Sequence, residues 1–246
     1  MAKESGLNVR LYVEGNDLSG DANALDGVGY TQEAFDTTTL DQSAVSRMEG
    51  RVDGTVGVSA FFNAASARIS AVATANSGKL PTADQNVMIP LGSSVGSKSI
   101  VWVSKESDYA VSGATGSPVT VSVSYQTNAT APAFGKMTSS FLDTITASTS
   151  GTAIDDSASS SDGGSWGYQV TALSAVGGNA RWLLNLQHSS DNVTYTDVVS
   201  AAVSASDGIG AASADFTGTL NRYVKYRGVR DASSGSITFA IAYTRA

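Results

Sequence analysis

Apolar and polar residues alternate with a period of two through much of this chain, the spacing of strands that show one face to a core and the other to water. LNVRLYV (7–13) puts Leu7, Val9, Leu11 and Val13 on one face and stops at Glu14-Gly15-Asn16-Asp17, a turn signal. Residues 18–53 follow, polar and rich in Gly, Asp and Thr, with poor alternation; they predict a long loop that carries a function or orders on assembly. Alternation returns at GTVGVSAFF (54–62). AASARISAVATANSG (64–78) then predicts the single helix, with Asn63 as its cap and Gly78 as its stop. Ala65, Ile69, Val72 and Ala73 share one face, so the helix is amphipathic and lies on a sheet.

Further strands are predicted at 86–92, 98–113 and 118–128. In the last, Val119, Val121, Val123 and Tyr125 face one way and Thr120, Ser122 and Ser124 the other, the pattern of a half-buried antiparallel strand. A boundary is predicted near APAFGKM (131–137), giving two domains, 1–137 and 138–246. Beyond it come FLDTITAS (141–148), a loop at 155–164, and strands at 166–176, 181–189, 194–201, 222–230 and 236–246. Turn residues recur between them at sandwich-like intervals. The fold class expected is therefore mainly β, a sandwich or barrel domain with one amphipathic helix followed by a second all-β sandwich.

Composition narrows the functions open to such a fold. Charged residues are 15% and the net charge is −7, spread as −4 over 1–137 and −3 over 138–246. Such a surface does not suit non-specific nucleic-acid binding, which needs cations against phosphates. One basic cluster interrupts it, RYVKYRGVR (222–230), expected as a solvated or intersubunit face. With no cysteine there are no disulfides or thiolate metal sites. MAKESGLNVR lacks the apolar run of a signal peptide and no stretch is long enough to span a bilayer, so a soluble chain with no membrane partner is expected.

Candidate chemistry is sparse. The only histidine, His188, stands beside Ser189, Ser190 and Asp191, the parts of a hydrolytic triad. Triad members adjacent in sequence rarely converge, and this group sits between the alternating runs Trp182–Gln187 and Val193–Tyr195, so it predicts the polar tip of a hairpin. Asp155, Asp156 and Asp162 lie in a loop with serines and glycines but lack the ligand spacing of a calcium site, and a solvated loop is expected. Gly27-Val28-Gly29 precedes no helix and has no dinucleotide-loop context. Trp102, Trp166 and Trp182 are expected in cores or interfaces; the alternative is a sugar cleft, for which Tyr195 is a further hint. No catalytic, cofactor-binding or metal-binding residue is singled out, and an enzyme is not expected.

Taken in order, LNVRLYVEGNDLSGDANAL, DTTTLDQSAVSRMEGRVDGTVGVSAFFN, the Ala-rich helix and SKESDYAVSGATGSPVTVSVSYQTN resemble the major tail (tail tube) proteins of long-tailed, siphovirus-type bacteriophages. The second half, with GTAIDDSASSSDGGSWGYQVTAL, LNLQHSSDNVTYTDV and SITFAIAYTRA, resembles a β-sandwich module often fused to them. The resemblance implies a structural virion protein, assembled in the host cytoplasm. It would self-assemble into stacked hexameric rings whose inner sheets form a conduit for DNA ejection, beside other phage tail proteins and with no cofactor. It also implies that the loop around residues 18–53 stacks one ring on the next, that DNA passes without specific binding, and that 138–246 decorates the exterior. A carbohydrate- or receptor-binding module is the alternative.

Overall fold

The structure, a computed structural model, describes residues 9–128, 132–176, 181–204, 208–231 and 234–246. Leu7, at the start of the first predicted strand, lies outside the described residues. The first half contains β1 (Tyr12–Val13), β2 (Asn16–Asp17), β3 (Ala22–Asp36), β4 (Arg47–Phe61), α1 (Ile69–Ala73), β5 (Gln85–Pro90), β6 (Lys98–Ser112), β7 (Thr120–Thr127) and β8 (Ala133–Met137). The second contains β9 (Asp143–Ile145), β10 (Thr149–Ser150), β11 (Ile154–Asp155), β12 (Gly164–Val176), β13 (Arg181–Ser189), β14 (Thr196–Ser204), β15 (Gly210–Phe216), β16 (Tyr223–Arg230) and β17 (Ser234–Tyr243). The fold is mainly β, as the alternation requires.

Two expectations change. The segment 18–53 is not a loop: β3 and the first part of β4 occupy most of it as a long antiparallel hairpin. Three irregularities in register, between Ala22 and Ala24, Leu25 and Val28, and Gln32 and Ala34, each shift the two-residue period, so the strand does not show as alternation. The helix is also far shorter than 64–78. Ala67 has φ +59, which breaks any helix before it, and α1 spans five residues. Asn63 Oδ1 accepts the Ala65 N–H at 3.1 Å in a local turn, while Asp21 Oδ2 takes the Ile69 N–H at 3.1 Å. Ile69, Val72 and Ala73 are buried, so the predicted face survives, and Asp21 from a distant segment supplies the start.

One sheet of twelve strands runs through both halves in the order β15-β12-β17-β8-β6-β5-β1-β2, with β7, β4 and β3 branching from β6. The branch arises because β6 is long. Its first part is flanked by β5 as far as Ser104 and by β8 from Lys98 to Val101; from Ser104 on it pairs with β7. The sheet curls around a first core containing Leu11, Val13, Val56, Val58, Ile69, Val87, Trp102, Val123 and Tyr125. Alternate residues of the same strands point the other way. Tyr12, Met88 and Val101 join Met137, Ala240 and Ala242 in a second, smaller cluster. Strand β17 is thus buried on both faces, which explains the continuous apolar run FAIAY. Its opposite face, Ile237, Phe239, Ile241 and Tyr243, packs with Trp166, Trp182, Leu184, Leu186 and Val224. That third core lies against a separate five-stranded sheet, β10-β16-β13-β14 with β11 on β16. Close approach at the β8–β17 junction requires Gly135, where a Cβ would lie 1.9 Å from the Tyr243 carbonyl oxygen.

Candidate functional site

The hydrolase-like group resolves into a turn. Asp191 Oδ1 accepts the N–H groups of Val193 and Thr194, each at 2.9 Å, and the Ser189 hydroxyl at 2.7 Å. These bonds hold the Asp191 carboxyl down to about 2, the Thr194 and Val193 N–H groups contributing most. His188 Nδ1 instead accepts the Asn221 N–H at 3.1 Å. Burial lowers its pKa, helped by the charge of Arg245 and opposed by a backbone bond to Thr219. Ser189 and Asp191 serve the hairpin turn, His188 ties it to Asn221, and the three do not converge on one proton path.

The aspartates of the 155–164 loop find cations rather than forming a shared pocket. Arg222 grips Asp155 with Nε at 2.6 Å and Nη2 at 2.7 Å. Asp156 accepts from Lys136 Nζ at 2.5 Å and from Tyr243 Oη and Arg245 Nε, both at 2.6 Å. Asp162 only takes the adjacent Ser161 hydroxyl. The solvated-loop expectation therefore fails for Asp156, whose side chain is 6% exposed. Among the described residues, no group of three His, Cys, Asp or Glu could hold a metal ion. Trp102, Trp166 and Trp182 are buried in the cores, and the Tyr195 ring is covered by Lys225 Nζ, 3.6 Å from its centroid. Trp102 and Trp166 border one small pocket with Ser165, Ser213 and Asp215, but at 2% and 3% exposure neither ring offers a stacking face to a sugar.

What the fold does expose is sheet. Residues of β4 with even numbers carry Val56, Val58 and Ala60 into the first core. Across the strands they match Val121, Val123 and Tyr125. The opposite face is small and hydroxylic: Thr55, Gly57 and Ser59 pair with Gln126, Ser124 and Ser122, and these with Lys105, Asp108 and Ala110. Asp26 accepts the Ser59 hydroxyl on this side. Lys105 Nζ is held by Asp84 at 2.6 Å, so a cation on this face is already neutralised.

Both edges of this four-stranded piece, β3-β4-β7-β6, are open among the described residues. Strand β3 pairs only with β4, and beyond Ser104 the other edge of β6 has lost β5. Long unpaired edges are a liability that a folded chain covers or uses.

The β3–β4 hairpin also overshoots its own core. From Thr55 back to Arg47 it continues as a two-stranded ribbon about 26 Å long at about 3.3 Å per residue. The face that carries Val56 inward carries Val52 and Tyr30 past the end of the core, where the Tyr30 ring meets Phe134 at 5.8 Å between centroids. The extra β4 residue at the Gln32–Ala34 shift turns Phe35 and Met48 to the opposite face. Tyr30, Phe35 and Met48 are 56%, 49% and 59% exposed, and Leu40 at the tip is fully exposed. Gly50 lets the Phe35 ring lie across the strand, since a Cβ there would come within 2.8 Å of Phe35 Cε2. Charge alternates in sign along this part of β4, Arg47, Glu49, Arg51, Asp53, and the shift distributes it over both faces. At the opposite end of the same sheet, Phe61, Phe62, Val111 and Val119 are exposed as well. A two-stranded ribbon is marginal in water, and one that exposes large apolar side chains on both faces calls for a partner.

No protein-family model matches the sequence, and comparison with curated proteins gives no match. Solved structures do show similarity. The chain is similar to the Dit (gp 19.1) protein of SPP1, a hub adsorption protein of phages infecting Gram-positive bacteria. The two share 11% identity and a TM-score of 0.37, over 94% of this chain and 98% of that one. It is also similar to a chain in the tail of an empty gene transfer agent particle, at 14% identity and a TM-score of 0.41, over 54% of this chain and 98% of that one. A chain of the native gene transfer agent virion gives 14% identity and a TM-score of 0.39, over the same shares. These neighbours are components of phage or phage-like particles, and at such low similarity the role of this chain is read from its own surfaces.

Proposed function

We propose that this chain is a structural protein of a phage-type tail, which assembles by joining open sheet edges around a hollow axis and performs no chemistry. The observation that carries this reading is the pair of open edges on opposite sides of one four-stranded sheet. Edge β3 of one copy can pair with edge β6 of the next, a head-to-tail contact that closes into a ring. For six copies the closed sheet holds roughly 24 strands. At about 4.8 Å spacing and about 40° tilt its radius is roughly 24 Å, which leaves a bore wider than a DNA duplex.

The hydroxylic face lines that bore. It carries little positive charge, and the chain as a whole is acidic, so DNA slides past without being held. Electrostatic repulsion from the wall reaches only about 8 Å at physiological salt, enough to act across the gap. The ribbon of each copy extends along the axis and lays Phe35, Met48 and Leu40 against the next ring, whose near end offers Phe61, Phe62, Val111 and Val119.

Layer order supports an outer position for the C-terminal half. Moving away from the hydroxylic face one meets the first core, then β5 and β1, then the Tyr12–Met137 cluster, then β17 and β12, and last the five-stranded sheet. We therefore divide the chain into an assembly unit, 1–137, and an exterior sandwich, 138–246, in a virion protein whose assembly precedes release from the host.

Negative-stain microscopy of the concentrated full chain tests the reading. Tubes with a central bore are expected, and they are lost in a Phe35→Asp/Met48→Asp variant whose melting temperature stays within a few degrees of wild type. A wild-type chain that remains a discrete particle at every concentration overturns it.

A further inference from the structure

Glu106 is a buried titratable group that neither the edges nor the ribbon uses. It is 5% exposed, and neither carboxyl oxygen has a hydrogen-bond partner. Directly across the strand pair stands Tyr125, whose buried hydroxyl is also without a partner. A carboxylate taken out of water without a cation or donor is far more costly than the neutral acid in the same place.

Its position matters as much as its burial. Strand β5 accompanies β6 as far as Ser104, and the open edge begins beyond it. Between Glu106 and Asp108 the register shifts, with Ser107 as the extra residue and its hydroxyl donating to the Ser124 carbonyl at 3.2 Å. Glu106 therefore sits under the fork where β6 leaves β5 and becomes free to pair with another copy.

No charge nearby relieves it. Tyr125 faces it from β7, and Tyr109 lies on the core face of β6 past the bulge. Strand β4 offers Val56 across from Tyr125, β5 offers Gln85 across from Ser104, and α1 presents Ile69, Ser70, Val72 and Ala73, none of them titratable. Lys105 is on the opposite face of β6, paired with Asp84, and Asp108 lies on the outer face.

We propose that Glu106 is a proton-operated latch on the open edge of β6. As the neutral acid it stays beneath the fork and holds the edge in register; on losing its proton it must reach water, which opens the fork and withdraws residues 106–112 from pairing. Burial pushes the carboxyl up to about 8, so the change falls just above neutral pH. Burial, and then the nearby Glu106 charge, push the Tyr125 hydroxyl up as well, so the tyrosine stays neutral throughout. Because the folded pKa lies above the unfolded one, the native state holds a proton that the unfolded chain has released. Stability therefore falls as pH rises from about 4.5 to about 8, then levels off.

The latch operates within one protomer; its effect on assembly rests on the ring reading above. The full chain and E106Q are compared from pH 4.5 to 9.5 by thermal unfolding and by amide exchange corrected for intrinsic rates, with E106M as a second variant should the amide fold poorly. Wild type is expected to lose stability across the window while the variants stay flat. At pH 9, protection at 106–112 is expected to be lower in wild type than in E106Q by more than about tenfold, since the shift exceeds one unit and each unit is a factor of ten. Identical pH profiles in wild type and both variants overturn the latch. Tubes that form at pH 6.5, dissociate at pH 9 and persist in E106Q support both readings. A chain that forms no tubes at any pH but shows the pH-dependent difference supports the latch and refutes the ring.

Discussion

Replacing Asp156 with alanine removes one carboxylate that ties three parts of the chain together. Lys136 comes from β8, Tyr243 from the end of β17, and Arg245 from the C-terminal residues. Arg245 in turn donates to the carbonyls of Leu220 and Asn221, each at 2.6 Å, so the clamp reaches the five-stranded sheet as well. The Asp156 and Arg245 side chains are 6% and 19% exposed, so their attraction is little screened; Lys136, at 32%, can turn toward water. Breaking a buried pair by removing one partner costs about 3–5 kcal/mol, and the partial escape of Lys136 places this case near about 3 kcal/mol. For a chain of this size that is a fall of roughly 6–12 °C in melting temperature. Urea unfolding should show a lower midpoint at constant slope. A loss below about 1 kcal/mol would falsify the clamp.

Burial alone would raise the Asp156 pKa, but the bonds from Lys136, Tyr243 and Arg245 and the charge of Arg245 outweigh it and leave it lowered. Its contribution is thus present above the ordinary carboxylate range and lost as pH falls through the depressed value. The gap between wild type and Asp156→Asn should narrow as pH falls below the ordinary carboxylate range.

Two further substitutions probe the joint between the halves. Gln169 is 1% exposed, accepts the Gly15 N–H at 2.8 Å and donates to the Asn86 carbonyl at 2.9 Å. Gln169→Ala strands both groups and should cost about 2–3 kcal/mol in denaturant unfolding, whereas a loss within measurement error would mean water replaces the amide. Gly135→Ala drives a methyl into the Tyr243 carbonyl, and β8 should separate from β17. The expected readout is lost protection of the Thr138 amide, which donates to the Ile241 carbonyl of β17, in hydrogen exchange; unchanged protection there would show that the backbone can yield.

Much of the fold was legible because the two-residue period is a local property. Val121, Val123 and Tyr125 point inward and Ser122 and Ser124 outward, as their alternation requires, and the core positions of all three tryptophans follow from the same rule. Where the period is broken, the reading failed. The bulges of β3 disguised a fifteen-residue strand as a loop, and GAASADF of β15 has too little apolar contrast to show. The helix was overread because its alanines favour helix locally, while Ala67 and the cap from Asp21 set its extent.

The surfaces that matter were least legible. Asp156 reads as one more loop aspartate, because its cations stand 20 and 89 positions away and only packing brings them together. Glu106 reads as one charge in a strand, because its burial depends on β7 and the core beneath it. Sequence periodicity determines which way a side chain points relative to its own backbone. Which strands meet, and therefore which edges are left open, is a relation between distant segments that the tertiary structure alone decides.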